Sequence, residues 1–135
     1  MNSVRATRSG PVRVLTVDDH PPFLEVAHEM IHGMPEFEAV GEVISGAEAM
    51  VAADTVDPDL VLIDVHMPEM SGIEASRRLS AHHPEIVVVL ISTADPNELP
   101  AAARSCGAAE VLSKQDLGPG TIRRIWAEHG RPPTS

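Results

Sequence analysis

Apolar residues in this chain fall into five short blocks separated by segments of helical period. Val12 to Val17 is the first strand-like run, and it ends in Asp18-Asp19. His20-Pro21-Pro22 stops it, and two prolines suit a loop followed by a helix's first turn. Phe23, Leu24, Ala27, Met30 and Ile31 then recur at helical spacing up to Gly33. Phe37 to Ile44 alternates loosely and reads as a second strand. Ser45-Gly46-Ala47-Glu48 has the form of a capping box for a helix running to about Thr55. Leu60 to Ile63 is wholly apolar, as expected of a strand covered on both faces, and it ends in Asp64. A loop from Met67 to Gly72 leads to a helix over Ile73 to His82, which Pro84 breaks. Ile86 to Ile91 is six β-favouring residues in a row, the most buried strand of the set, and Ser92-Thr93-Ala94 follows it. A fourth helix is predicted within Asn97 to Cys106, starting late or distorted because Pro100 lies inside it, with Gly107 as its stop. Val111 to Ser113 is the last strand and runs into Lys114. A fifth helix is predicted over about Thr121 to His129.

Five strands alternating with five helices imply an α/β fold, a doubly wound parallel sheet with right-handed crossovers. In such a sheet, ligands bind outside the carboxyl ends of the strands. Three strands here end in charge: Asp18 and Asp19, Asp64, and Lys114, the only lysine in the chain. Three ionised carboxylates about 4 Å apart repel by roughly 1 to 4 kcal/mol per pair. That cluster needs a divalent cation, a lysine, or both.

Length allows one domain with a substantial core. The expected divisions are a disordered lead over 1–11, the domain over 12–130 and a tail over 131–135. Aromatics are only two phenylalanines and one tryptophan, so the core must be aliphatic. A net charge of −10 argues against direct binding to nucleic acid or an anionic membrane, and otherwise serves solubility. Cys106 is the only cysteine, which excludes an intrachain disulfide, fits a buried structural thiol and suits a cytoplasmic setting. No run approaches the ~18 apolar residues of a membrane span. His28 and His32 are four apart on one helix, but no zinc-enzyme motif surrounds them, and metal binding there is not expected.

The residues Val17-Asp18-Asp19-His20-Pro21, Asp59 to Gly72 around Asp64, Ser92-Thr93-Ala94 and Lys114 resemble a receiver domain of two-component response regulators. Asp-His-Pro, and a lysine followed by Gln115-Asp116 rather than proline, look most like the subfamily that usually carries a helix-turn-helix output domain. The resemblance covers about Val12 to Glu128. It implies a flavodoxin-like strand order 2-1-3-4-5 and a phosphoacceptor at Asp64, modified by a sensor histidine kinase or a phosphotransfer protein. It implies Mg²⁺ held by Asp18, Asp19, Asp64 and the backbone carbonyl of His66, with Asp18 acting partly through water. Oxygen donors with retained waters suit that ion. Ser92 and Lys114 would contact the phosphoryl group, Thr93 would border access to it, and His66 and Ala94 would tune its loss.

Ala94 cannot orient an attacking water, so a long-lived phosphoryl group is expected. Where the family often has Tyr or Phe, this chain has Val111, so the usual aromatic half of the switch is missing. The responsive surface is expected over Leu99 to Cys106, Val111 and the last helix. With the Ile122, Ile125 and Trp126 stripe, which otherwise reads as core, it offers a homodimer contact or a face for a downstream protein partner. The chain turns over no metabolite on this reading, and a stand-alone receiver is favoured over a domain cut from a longer regulator. The rival expectations are an interaction module working without phosphorylation and an aspartyl-phosphate phosphatase. The phosphatase would need a second acid where His66 stands.

Overall fold

The computed structural model describes residues 10–130. The expected lead over 1–11 and tail over 131–135 fall outside these, apart from Gly10 and Pro11.

Five parallel strands form one sheet in the order β2-β1-β3-β4-β5. They are β1 (Val12–Val17), β2 (Phe37–Val43), β3 (Leu60–Asp64), β4 (Val87–Ser92) and β5 (Glu110–Ser113). Among the described residues, four α-helices connect and flank them: α1 (Pro21–His32), α2 (Gly46–Thr55), α3 (Gly72–His82) and α4 (Pro119–His129).

Every residue of β3 and β4 is buried, so the wholly apolar runs are explained by cover on both faces. Alternate side chains serve two separate cores. Val61, Ile63, Val88 and Leu90 pack with Ala49, Ala52, Ala53, Ala75 and Leu79 of α2 and α3. Leu60, Leu62, Val89 and Ile91 pack with Ile31, Ile122 and Ile125 of α1 and α4. The stripe on the last helix is therefore mainly core: Ile122 and Ile125 are fully buried, while Trp126 is half-buried at the edge.

The helix starts follow local chemistry. Ser45 Oγ accepts a hydrogen bond from the Glu48 amide at 3.1 Å, and Glu48 Oε1 accepts one from the Ile44 amide at 3.1 Å. Ser71 Oγ caps α3 in the same way, accepting from the Glu74 amide. Pro119 stands in the first turn of α4, where its missing N–H costs nothing.

The helix predicted between β4 and β5 does not form. The segment folds as two 3₁₀ turns, Pro96–Glu98 and Ala101–Arg104. Pro100 explains the break, because a residue preceding proline is driven out of the α region. Leu99 accordingly has ψ 154°, and no helix can pass through it. Asp95 caps the first turn by accepting from the Asn97 amide at 2.9 Å. Gly107, with φ +98°, then turns the chain toward β5. A Cβ there would lie 2.3 Å from Ser80 Oγ, so both conformation and space demand glycine.

Candidate functional site

The carboxyl ends of β1, β3 and β5 bring the charged residues together. Asp18 follows β1 directly, and its amide donates to the Val43 carbonyl of β2 at 3.0 Å. Its side chain is completely buried. Asp64 is the last residue of β3 and is 4% exposed. Lys114 opens a short 3₁₀ turn after β5, and its Nζ reaches back across the strand ends.

Lys114 Nζ lies 2.7 Å from Asp18 Oδ2 and 3.9 Å from Asp64 Oδ1. The shorter contact is an ion pair whose angles fall outside hydrogen-bond geometry, so Asp18 Oδ2 has a counter-charge but no aligned donor. The lysine thus sits nearer Asp18 than the expected acceptor. The ring of Phe23 lies 4.4 Å beneath the same ammonium, a cation–π contact from the first turn of α1.

His20 also joins the cluster. Asp18 Oδ1 accepts from the His20 amide at 2.8 Å and lies 2.9 Å from His20 Nδ1. Asp19 Oδ1 is 3.1 Å from the same nitrogen. One donor atom each from Asp18, Asp19, His20 and Asp64 fall within 4.8 Å of one another. Neither His20 nor Phe23 stands out in the sequence as a site residue. His20 reads there as a strand terminator and Phe23 as helix core, although adjacency to the Asp pair is a signal for both.

The electrostatics show that the counter-charge is insufficient. Burial, and then the Asp18 carboxylate, push the Asp64 carboxyl up from 3.8 to about 6; Lys114 only partly opposes them. Buried Asp18 Oδ2 and Asp19 Oδ1 have no hydrogen-bond donor. Three carboxylates against one ammonium, converging within 4.8 Å with the His20 ring, are a donor set that fits a divalent cation.

The loop after Asp64 is tied tightly to the sheet. The Val65 amide donates to the Ile91 carbonyl at 2.9 Å, and the Gly72 amide donates to the Val65 carbonyl at 2.8 Å. A Cβ on Gly72 would stand 2.1 Å from the Asp64 carbonyl oxygen, so α3 can begin here only with glycine. Glu69, at the loop's tip, takes φ +70°.

The other expected residues spread around this centre. Ser92 ends β4, is fully buried, and its Oγ accepts from the Ala94 amide at 3.0 Å. Because Asp64 pairs with Ile91 in register, Ser92 is the next residue along the neighbouring strand. Thr93 and His66 are exposed, and Ala94 is half-buried. Val111 is half-buried on β5, packed against the core that α2 and α3 cover. Cys106 is buried, its thiol 3.6 Å from the Ala103 carbonyl. His28 and His32 stack at 6.0 Å on α1, with His28 Nδ1 3.0 Å from Glu42. No helix among the described residues is long and apolar enough to cross a membrane.

Comparison with known proteins gives a consistent answer. The family model of the response regulator receiver domain matches residues 14–123. The response regulator GacA of Pseudomonas viridiflava is 36% identical over 116 residues, covering 86% of this chain and 53% of GacA. A protein-glutamate methylesterase/protein-glutamine glutaminase of Myxococcus xanthus is 35% identical over 113 residues, covering 83% of this chain and 32% of that protein. The chain thus spans about half the length of GacA and a third of the methylesterase. The signal receiver domain of NarL from Mycobacterium tuberculosis superposes with a TM-score of 0.81 at 29% identity, covering 91% of this chain and all of that one. GacA and NarL are relatives of the kind expected from the subfamily resemblance. On the match over residues 14–123, and on a sheet whose strand order and charged strand ends agree with it, this chain belongs to the response regulator receiver domain family.

Proposed function

We propose that this domain is a phosphorylation switch, in which Asp64 accepts a phosphoryl group from a histidine kinase or phosphotransfer protein. The observation that carries the reading is the buried, under-neutralised Asp64 at the centre of Asp18, Asp19 and Lys114. A carboxylate whose pKa rises to about 6 is a stronger base than an ordinary aspartate, yet remains mostly ionised at neutral pH. An Asp64 oxygen attacks the phosphorus, the P–O bond forms, and the P–N bond to the donor's histidine breaks.

A Mg²⁺ held by Asp18, Asp19 and Asp64, with the His66 carbonyl, would neutralise the oxygens of the transferring group. Lys114 is placed to move from Asp18 toward the new phosphoryl charge, a shift that starts from 3.9 Å off Asp64. Ser92 is placed to exchange its bond from the Ala94 amide for one to a phosphoryl oxygen. Thr93 borders the entrance. Ala94 offers no group to orient water, which favours a long-lived adduct, and exposed His66 is the side chain proposed to shorten it.

The message leaves through the β4–β5 edge. With no aromatic at Val111, repositioning falls to the two 3₁₀ turns Pro96–Glu98 and Ala101–Arg104 and their neighbours. A downstream protein, or a second copy, meeting this edge is the proposed output. Turnover of a metabolite is not part of the proposal, and a cytoplasmic location follows from the kinase partner.

The test is incubation with Mg²⁺ and acetyl phosphate, followed by intact mass. A single labile adduct, absent in Asp64→Asn and surviving for minutes or longer, is expected. No adduct at all would leave a phosphorylation-independent interaction module. Continuous release of phosphate would mean a phosphatase, and loss of the adduct within seconds would contradict the long lifetime.

A further inference from the structure

His20 is the one member of the strand-end cluster that the phosphorylation chemistry does not use. Its Nδ1 is wedged between two carboxylates, 2.9 Å from Asp18 Oδ1 and 3.1 Å from Asp19 Oδ1. Two donors bound about 2.1 Å from one ion at right angles are separated by about 3.0 Å. The nitrogen therefore already stands at the octahedral edge distance from both oxygens. Asp64 completes a group of four donors within 4.8 Å. Asp19 Oδ1 beside this nitrogen is buried and has no hydrogen-bond donor, which leaves a carboxylate oxygen there for a cation.

From this geometry we infer that His20 is a direct ligand, the fourth side chain beside the His66 carbonyl, and that its imidazole tunes the site toward first-row transition ions such as Mn²⁺ relative to Mg²⁺. Hard oxygens suit both ions, but an imidazole nitrogen is a poor ligand for Mg²⁺, whereas Mn²⁺, though the weakest of the first-row ions for such a donor, accepts one. Nδ1 coordinates in the tautomer that carries its proton on Nε2. The side chain is 63% exposed, so the second nitrogen has access to water. The backbone amide of His20 donates to Asp18 Oδ1 at 2.8 Å, which fixes the main chain from which the ring projects. This inference rests on the proposal that the acidic cluster holds a divalent ion, and it adds that the ion's identity is set by a residue next to the Asp pair.

The test titrates the whole protein with MnCl₂ alone and MgCl₂ alone at about pH 8, by calorimetry, in wild type, His20→Ala and His20→Asn. Both variants are expected to lose roughly tenfold in Mn²⁺ affinity and to change by less than about twofold for Mg²⁺. Pulsed electron paramagnetic resonance on the Mn²⁺ form with ¹⁵N-labelled histidine reads the ligand directly. A histidine nitrogen coupling is expected in wild type and absent in His20→Ala. If Mn²⁺ binds with no such coupling, or the coupling survives in His20→Ala, the inference is overturned while the metal site stands. It is likewise overturned if removing the ring tightens both ions equally, because His20 is then a competitor rather than a ligand. If neither ion binds wild type, both the inference and the metal site fail.

Discussion

Replacing Asp64 with asparagine should stabilise the metal-free protein at neutral pH. The acidic cluster is a place where function opposes stability. Burial and the neighbouring Asp18 raise the Asp64 pKa from 3.8 to about 6, so the folded state holds this proton more tightly than the unfolded chain. Stability from this group is fully present below about pH 3.8 and is lost as pH rises through about 6. At about 1.36 kcal/mol per unit, the two-unit shift sets a ceiling near 3 kcal/mol, which solvent and salt screening reduce to about 1–2 kcal/mol. Asp64→Asn keeps the shape and removes the charge. Urea denaturation in EDTA should therefore show the variant about 1–2 kcal/mol more stable at pH 7.5 and within about 0.5 kcal/mol of wild type at pH 4. Saturating Mg²⁺ should close the gap, since a ligand at 100 times its Kd adds about 2.7 kcal/mol to the form that binds it. A variant no more stable than wild type at pH 7.5 would refute the reasoning. It would mean that Lys114 and His20 neutralise the cluster by themselves.

Lys114→Met removes the counter-charge of a fully buried carboxylate, and should cost about 2–3 kcal/mol in EDTA by urea denaturation, with Mg²⁺ restoring most of it. Gly72→Ala and Gly120→Ala should differ in sign. The first forces a methyl group to 2.1 Å from the Asp64 carbonyl and should cost about 3 kcal/mol, while the second meets nothing within 4 Å on α4 and should gain about 0.5–1 kcal/mol; denaturation midpoints report both. Glu69→Gly relieves a left-handed backbone beside the phosphorylation site and should raise stability by about 0.5 kcal/mol after the greater freedom of the unfolded glycine is subtracted.

The strands were legible because burial on both faces demands unbroken apolar runs, and Leu60 to Ile63 and Ile86 to Ile91 have few other uses. The acidic centre was legible for a topological reason. Parallel strands place all their carboxyl ends on one edge, so charges that terminate β1, β3 and β5 must meet. What pattern could not supply is the rotation of each side chain. Whether Lys114 turns to Asp18 or Asp64 is decided by a difference of 2.7 against 3.9 Å and by the Phe23 ring beneath it. His20 was hidden for a related reason: beside two prolines it looks like a terminator, and only the folded turn aims its ring at the carboxylates. The helix expected over Asn97 to Cys106 failed at a single residue. The alanine-rich composition favours helix, but Pro100 fixes Leu99 in an extended conformation, and local sterics outweigh the propensity of its neighbours.

Asp64, and no other carboxylate of the cluster, is expected to accept the phosphoryl group. An acyl phosphate is reduced by borohydride to an alcohol, which converts a phosphorylated aspartate to homoserine. Treating the protein with Mg²⁺ and acetyl phosphate, reducing it, and sequencing peptides by mass should place homoserine at position 64 alone. Homoserine at Asp18 or Asp19, or none at any position under conditions where Mg²⁺ binds, would contradict the account.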